Sequence, residues 1–233
     1  MLMLNQQKIF IIAAHPDDEV LGCGGSMAKW AKEGHEVHVL ILAEGATSRD
    51  KQRDRASRTE ELSLLAQSAK RATDILEIES VELLDYPDNR MDSIDLLDVV
   101  KEVEKKNEEL KPDVVVTHHG GDLNVDHHII HQAVITACRP QPGQTVKRIL
   151  SFEVPSSTEW QSPSFGNPFV PNWFEDISDT LELKIKALEA YESEMRKWPH
   201  ARSIKALEHL ARWRGATVGV EAAEAFMLVR GIR

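Results

Sequence analysis

Two cysteines in 233 residues, Cys23 and Cys138, are too few for a disulfide framework and suit a reducing compartment. Long apolar runs are equally scarce. "KIFIIAA" (8–14) is far too short to cross a bilayer, so a cytoplasmic protein without integral membrane association is expected. A basic surplus is missing too. Lys and Arg number 28 against 38 Asp and Glu, a net charge of −10, which argues against nucleic acid or an anionic membrane as the main partner. A local basic pocket for a phosphate remains compatible with that balance. No internal repeat or low-complexity tract occurs, and both the G-x-G-x-x-G of dinucleotide folds and the HExxH of zinc peptidases are absent.

What is present is an alternation of strand-like and helical patterns. Apolar runs at 8–14, 36–43, 80–86, 113–119 and 146–154 predict strands. Helical periodicity fills the gaps: "GSMAKWAKEG" closing at Gly34, then 55–73, 94–110 and 126–138. Alternation of this kind implies an α/β fold, a Rossmann-like three-layer sandwich whose mostly parallel sheet is covered by helices on both faces. Residues 1–155 are expected to form the α/β core. Residues 156–233 add a long Pro- and Ser-rich loop (156–172), helices at 179–195 and about 201–213, and a final strand "AEAFMLVR", packed on the same domain. The loop and its end carry Trp160, Phe165, Phe169 and Trp173, which argues against plain disorder.

Chemistry concentrates where strands should end. "IFIIAAHPDDEVLGCGG" (9–25) runs an apolar strand into a histidine, a proline and three acids. Clustered carboxylates repel one another and are costly to desolvate, unless a divalent cation converts that repulsion into binding energy. His15 and Asp18, three apart across a proline-containing turn, can converge on one ion, leaving Asp17 free to act on a bound water. Glu19 reads more simply as an acid at a helix N-terminus. The glycines of "GCGG" read as permitting a tight helix start, because anionic neighbours would repel a pyrophosphate. A second cluster, "HHGGDLNVDHHIIH" (118–131), holds five of the ten histidines. A helix is expected to begin there with Asn124 or Asp126 as N-cap. His127 and His131 share one face at i,i+4 spacing, and either can complete a His/Asp/His set, while His128 points away. In open α/β sheets ligands bind at the carboxyl ends of the strands, which brings both clusters to one rim.

The motifs "AHPDDE" (14–19) and "DLNVDHHIIHQAV" (122–134) resemble those of the PIG-L/LmbE-type N-acetylglucosaminyl deacetylases, with looser likeness through "RTEELSLLA" and "LLDYPDN". The resemblance implies a zinc hydrolase that removes acetyl from an N-acetylated amino sugar or sugar conjugate. One Zn2+ per chain, with Fe2+ as the alternative, would be held by His15, Asp18 and His127. Asp17 would be the general base, and Asp126 would support the histidine shell. Family members often carry a histidine three residues before the third ligand; here Asn124 stands there, an amide that can donate to an oxyanion but carries no charge. His118, His119 or His200, in "WPHARS", can take that part. Arg58, Asp88, Asn89, Arg90, Trp160 and Trp173 are candidates for holding the sugar or a linked nucleotide or phosphate. The expected partner is a small N-acetyl sugar, and family habit adds a homo-oligomer. Competing readings are another zinc amidohydrolase acting on a small N-acyl conjugate, and a non-catalytic metal- or sugar-binding protein on the same scaffold.

Overall fold

The computed structural model describes residues 6–164 and 166–232, so Phe165 lies outside the described residues. Five strands follow the expected order: β1 (Lys8–Ala13), β2 (Glu36–Ala43), β3 (Ser80–Tyr86), β4 (Val114–His118) and β5 (Arg148–Phe152). All pair in parallel, in the spatial order β3-β2-β1-β4-β5. β7 (Ala223–Gly231) adds antiparallel to β5, and a short edge strand, β6 (Trp173–Asp176), closes the sheet against it. The sheet is therefore mixed but mostly parallel.

Side-chain alternation along the inner strands builds two cores. Ile9, Ile11, Val39, Ile41, Val114, Val116, Leu150 and Phe152 face one layer. Its helices are α1 (Asp18–Lys32), α2 (Thr59–Leu76), α5 (Leu181–Glu189) and α6 (Ile204–Ala216). Phe10, Ile12, Leu40, Leu42, Val115 and Ile149 face the other, covered by α3 (Leu96–Leu110) and α4 (Val125–Ala137). A continuous apolar run such as "IFII" is thus divided between two faces, as a buried parallel strand requires.

The structure departs from expectation in three places. The edge strand β6 was hidden because its four residues, three half-buried and one exposed, give almost no alternation to detect. The last helices are α5, which stops at Glu189 rather than 195, and α6, which starts at Ile204 rather than about 201. The first helix begins at Asp18, not near Gly25, so the glycines lie inside it. There they permit close approach. A Cβ on Gly22 would lie 2.3 Å from the Phe152 ring, and one on Gly25 would lie 2.7 Å from Ile177. The backbone breaks between them, Cys23 leaving helical geometry at φ −147°. A buried ion pair repairs the break. Lys184 donates to the Leu21 carbonyl at 2.8 Å and pairs with Glu224, whose carboxylate accepts the Gly25 and Ser26 N–H groups at 3.0 and 2.7 Å.

Strand order changes direction at β1/β4, since β2 lies on one side of β1 and β5 on the far side of β4. Such a switch point opens a crevice at the carboxyl ends of the strands. The "HPDD" turn leaves β1 there, and the histidine cluster leaves β4. No described helix is long and apolar enough to span a membrane.

Candidate metal centre

Asp18 lies at the centre of the crevice, fully buried. His15 Nδ1 and His127 Nε2 each stand 3.1 Å from its Oδ2. The three residues offer donor atoms within 4.8 Å of one another. His15 comes from the turn after β1, Asp18 from the first residue of α1, and His127 from the first turn of α4, which Asn124 caps by accepting the Asp126 N–H at 2.9 Å. The far nitrogen of each imidazole meets an acid. His15 Nε2 lies 3.0 Å from Asp126 Oδ2, and His127 Nδ1 lies 3.0 Å from Asp122 Oδ1. Asp126 is itself held by the N–H groups of Asn89 and Met91 at 2.6 and 3.0 Å, and Asp122 accepts from Ser157 and Thr158. Carboxylates behind ligating imidazoles fix the tautomer and ring orientation, an arrangement typical of metal sites.

The electrostatics describe a cavity that wants positive charge. Burial alone would lower the His127 imidazole, yet Asp18 and Asp122 outweigh it and raise its pKa to about 9. Burial likewise works against His15 charging, and the Asp126 and Asp18 carboxylates raise it well above the usual histidine range. Burial would push Asp18 up, but the two imidazoles hold it well below the usual carboxylate value. Asp18 Oδ1 is buried with no hydrogen-bond partner. Two imidazoles, one carboxylate and an unsatisfied buried oxygen are the donor set that a divalent cation such as zinc takes up, replacing the protons. His15 Nε2, Asp88 and Asp126 form a second convergent group on the other side of the same ring.

Asp17 borders this set without joining it. Its backbone is left-handed at φ 115°, its Oδ2 accepts from Arg202 at 2.8 Å, and its Oδ1 is buried without a partner. Burial drives its pKa well above the usual carboxylate range; Arg202 opposes this, while Asp18, Glu194 and Glu19 add to it. Glu19, expected simply to cap the helix, accepts the Asp17 N–H at 3.1 Å and the Tyr191 hydroxyl at 2.6 Å. Burial pushes it up to about 7 against the Tyr191 hydrogen bond.

The remaining sequence candidates divide. Asp88 approaches His15 Nε2 to 3.4 Å and accepts the Ser48 N–H at 3.0 Å. Asn89 donates its N–H to Asp126, and its side-chain oxygen accepts from Asn124 Nδ2 at 2.7 Å. Asn124 therefore has its oxygen on the helix cap and its amide nitrogen on Asn89. Arg90 does not turn to the metal centre; it donates to the Asp50 and Lys51 carbonyls at 2.9 and 3.2 Å and braces that loop. Arg58 is engaged by Asp50 and Glu61. Trp160 is exposed and packs edge-on against His200, 5.7 Å between ring centroids. His200 Nδ1 accepts the Arg202 N–H at 3.0 Å. Trp173 is engaged on the sheet edge, its ring 4.8 Å from the Arg148 guanidinium and its Nε1–H donating to Glu175 at 2.9 Å.

Three further histidines each have one ring nitrogen bonded elsewhere. His118 Nε2 accepts the Ala14 N–H at 2.8 Å, and burial together with His127 lowers its pKa well below the usual value. His131 Nδ1 donates to the His118 carbonyl at 2.9 Å, and His119 Nε2 to the Asn167 carbonyl at 2.8 Å. His128, expected to face outward, donates to the Asp122 carbonyl of its own loop. Sequence reasoning gave no role to Asp122, although it opens "DLNVDHHIIHQAV", and it missed Arg202. Its only signal was its place in "WPHARS", two residues after the histidine singled out there.

With this geometry in view, the family model described as PIG-L, GlcNAc-PI de-N-acetylase, matches residues 10–138, more than half of the chain. The chain belongs to this family. An uncharacterized deacetylase of Escherichia coli strain K12, YaiS, is 31% identical over 197 residues, covering 81% of this chain and 93% of that protein. A diacetylchitobiose deacetylase of Thermococcus kodakarensis is 27% identical over 246 residues, covering 97% of this chain and 84% of that one. The scaffold is shared more widely. The solved structure of GalB, a 4-carboxy-2-hydroxymuconate hydratase from Pseudomonas putida KT2440, superimposes with a TM-score of 0.72 at 21% identity, covering 98% of each chain. The chain is thus an enzyme of the PIG-L deacetylase family, and the hydratase is similar in fold.

Proposed function

We propose that this PIG-L family enzyme is a zinc-dependent N-deacetylase of a small N-acetylated amino sugar conjugate. The observation that carries the reading is Asp17 Oδ1: a buried, unpartnered carboxylate oxygen beside a complete His/Asp/His set that has no need of it. Binding a cation alone does not require that extra acid. Hydrolysis does, because a water must lose a proton and an amine must gain one. The diacetylchitobiose deacetylase relative and the family description support an N-acetyl sugar as the substrate class.

In this reading His15 Nδ1, Asp18 and His127 Nε2 hold the cation. Asp126 and Asp122 keep the two imidazoles in the tautomers that present those nitrogens. A bound divalent ion supplies a Lewis acid that acidifies water and polarises the amide carbonyl. Asp17 Oδ1 accepts the proton from the attacking water and returns it to the departing amine nitrogen. A cation held beside Asp17 would favour its ionised form, the form in which Oδ1 can take that proton. Asn124 Nδ2 stands on the same rim at the position where relatives carry an oxyanion-binding group, and turning from Asn89 would free it to donate. Asp88 and Asn89 line the floor for sugar hydroxyls, with Trp160 and His200 as an aromatic edge. The two free, buried cysteines are compatible with the reducing cytoplasm in which this reading places the reaction.

Released acetate is the direct test. Zinc-loaded protein, set against a panel of N-acetylglucosamine conjugates, is expected to liberate one acetate per free amine formed. Turnover of an unsaturated carboxylic acid by hydration, with no acetate from any N-acetyl sugar, would favour the hydratase chemistry of the Pseudomonas relative instead. Loading with ferrous iron under anaerobic conditions tests the alternative metal.

A further inference from the structure

Asp17 sits at φ 115°, outside the well that L-residues ordinarily occupy on the left-handed side, and such a conformation persists only where its surroundings over-determine it. Its N–H is taken by Glu19, and its carbonyl accepts from Val20 and Leu21 at 3.0 and 2.8 Å. The side chain has one partner. Arg202, 185 residues along the chain, donates Nη1–H to Oδ2 at 2.8 Å.

That arginine is held as firmly as the aspartate it meets. Its Nε donates to Ser156 Oγ at 2.7 Å, its N–H to His200 Nδ1 at 3.0 Å, and its carbonyl accepts the Arg196 N–H at 3.2 Å. The next residue, Ser203, caps α6 by accepting the Ala206 N–H at 3.1 Å. Arg202 therefore stands at the foot of a helix, braced by the loop after β5, and cannot follow Asp17 if the carboxylate rotates.

We propose that Arg202 is the positioning residue for Asp17: its guanidinium clamps Oδ2 and so reserves Oδ1 for proton transfer. The proposal rests on the deacetylase reading above. A free carboxylate presents its two oxygens equally and turns about its Cβ–Cγ bond. One arm of a rigid fork removes that freedom, and the other anchors the fork to Ser156. Arginine suits the task because it stays charged and donor-only, so it cannot itself take the proton destined for Asp17. A lysine can reach Asp17 or Ser156 but cannot reproduce the fixed fork.

The experiment uses the full chain with Arg202→Ala, Arg202→Lys and Ser156→Ala, each loaded with zinc. The readouts are kcat and KM for acetate release, metal content, and a crystal structure of the metal-free Arg202→Ala protein. Misplacing a catalytic group by an ångström costs on the order of 100-fold, so kcat should fall about that far in Arg202→Ala, with metal content unchanged and KM within about twofold. Arg202→Lys should lie about tenfold below wild type, and Ser156→Ala about threefold below it, because each keeps part of the fork. Guanidinium ion added to Arg202→Ala should restore part of the rate. The crystal structure should show the Asp17 carboxylate turned while His15, Asp18 and His127 keep their places.

Wild-type kcat in Arg202→Ala would overturn the clamp, as would a raised KM at unchanged kcat, which would make Arg202 a substrate contact. Should Arg202→Ala not fold, Arg202→Lys carries the same readouts, and wild-type kcat there is equally fatal. A wild-type protein that releases no acetate overturns the deacetylase reading, and the position of Asp17 in the crystal still judges the clamp.

Discussion

Two buried charged clusters lie along α1, and they are built on opposite plans. At its N-terminus His15, Asp17, Asp18 and His127 are packed together with unsatisfied atoms among them, notably Asp17 Oδ1 and Asp18 Oδ1. At its break, Lys184 and Glu224 are as deeply buried, yet every polar atom of the pair has a partner, and the pair supplies what the interrupted helix lacks. Burying an unpaired polar atom costs stability, so two such atoms on adjacent carboxylates call for a reason. The closed cluster holds the fold. The open one is the proposed metal centre.

Substitutions should separate the two plans sharply. The largest effect is expected from His127→Ala, which should lose stoichiometric metal and all measurable acetate release; retained zinc by elemental analysis would move the third ligand elsewhere. Asp17→Asn should keep metal and fold but lower kcat by roughly 100- to 10,000-fold, the usual share of a general acid–base group. Wild-type turnover in that variant would contradict the role given to Asp17. In the closed cluster the effect should move from activity to stability. Lys184→Met leaves Glu224 a buried, uncompensated charge and should cost about 3–5 kcal/mol in denaturant unfolding, with kcat per folded molecule unchanged. Gly22→Ala, forcing a methyl against the Phe152 ring, should cost about 1–3 kcal/mol by the same measurement. Asn124→Ala, the smallest, should cost about 1 kcal/mol through the lost α4 cap. An activity loss in it well beyond the stability loss would show that Asn124 also serves the reaction.

The same contrast explains what could be read from the residues alone. "HPDD" and "DHHIIH" are contiguous, and their chemistry is peculiar enough to stand out where strands end. The mostly parallel sheet was legible from alternating strand and helix patterns, whereas the strand order that makes the switch point was not. Partnerships between distant single residues were not. Arg202 is one arginine among many, and nothing local marks the one that crosses 185 positions to meet Asp17. Lys184 and Glu224 belong to different elements, and each alone looks like an ordinary surface charge. The glycines of "GCGG" were visible, but their purpose depends on Phe152 and Ile177, which only the packed sheet brings near. β6 is too short to carry a pattern. Arg58 and Arg90 looked available for substrate until the loop carboxylate and carbonyls they hold came into view.

One measurement bears most directly on the central claim: anomalous diffraction from a zinc-soaked crystal of the intact chain. A single strong peak is expected, bonded to His15 Nδ1, Asp18 and His127 Nε2, with Asp17 near it and unbonded. A peak on the far side of the His15 ring, between Asp88 and Asp126, or no peak in the crevice at all, would contradict it.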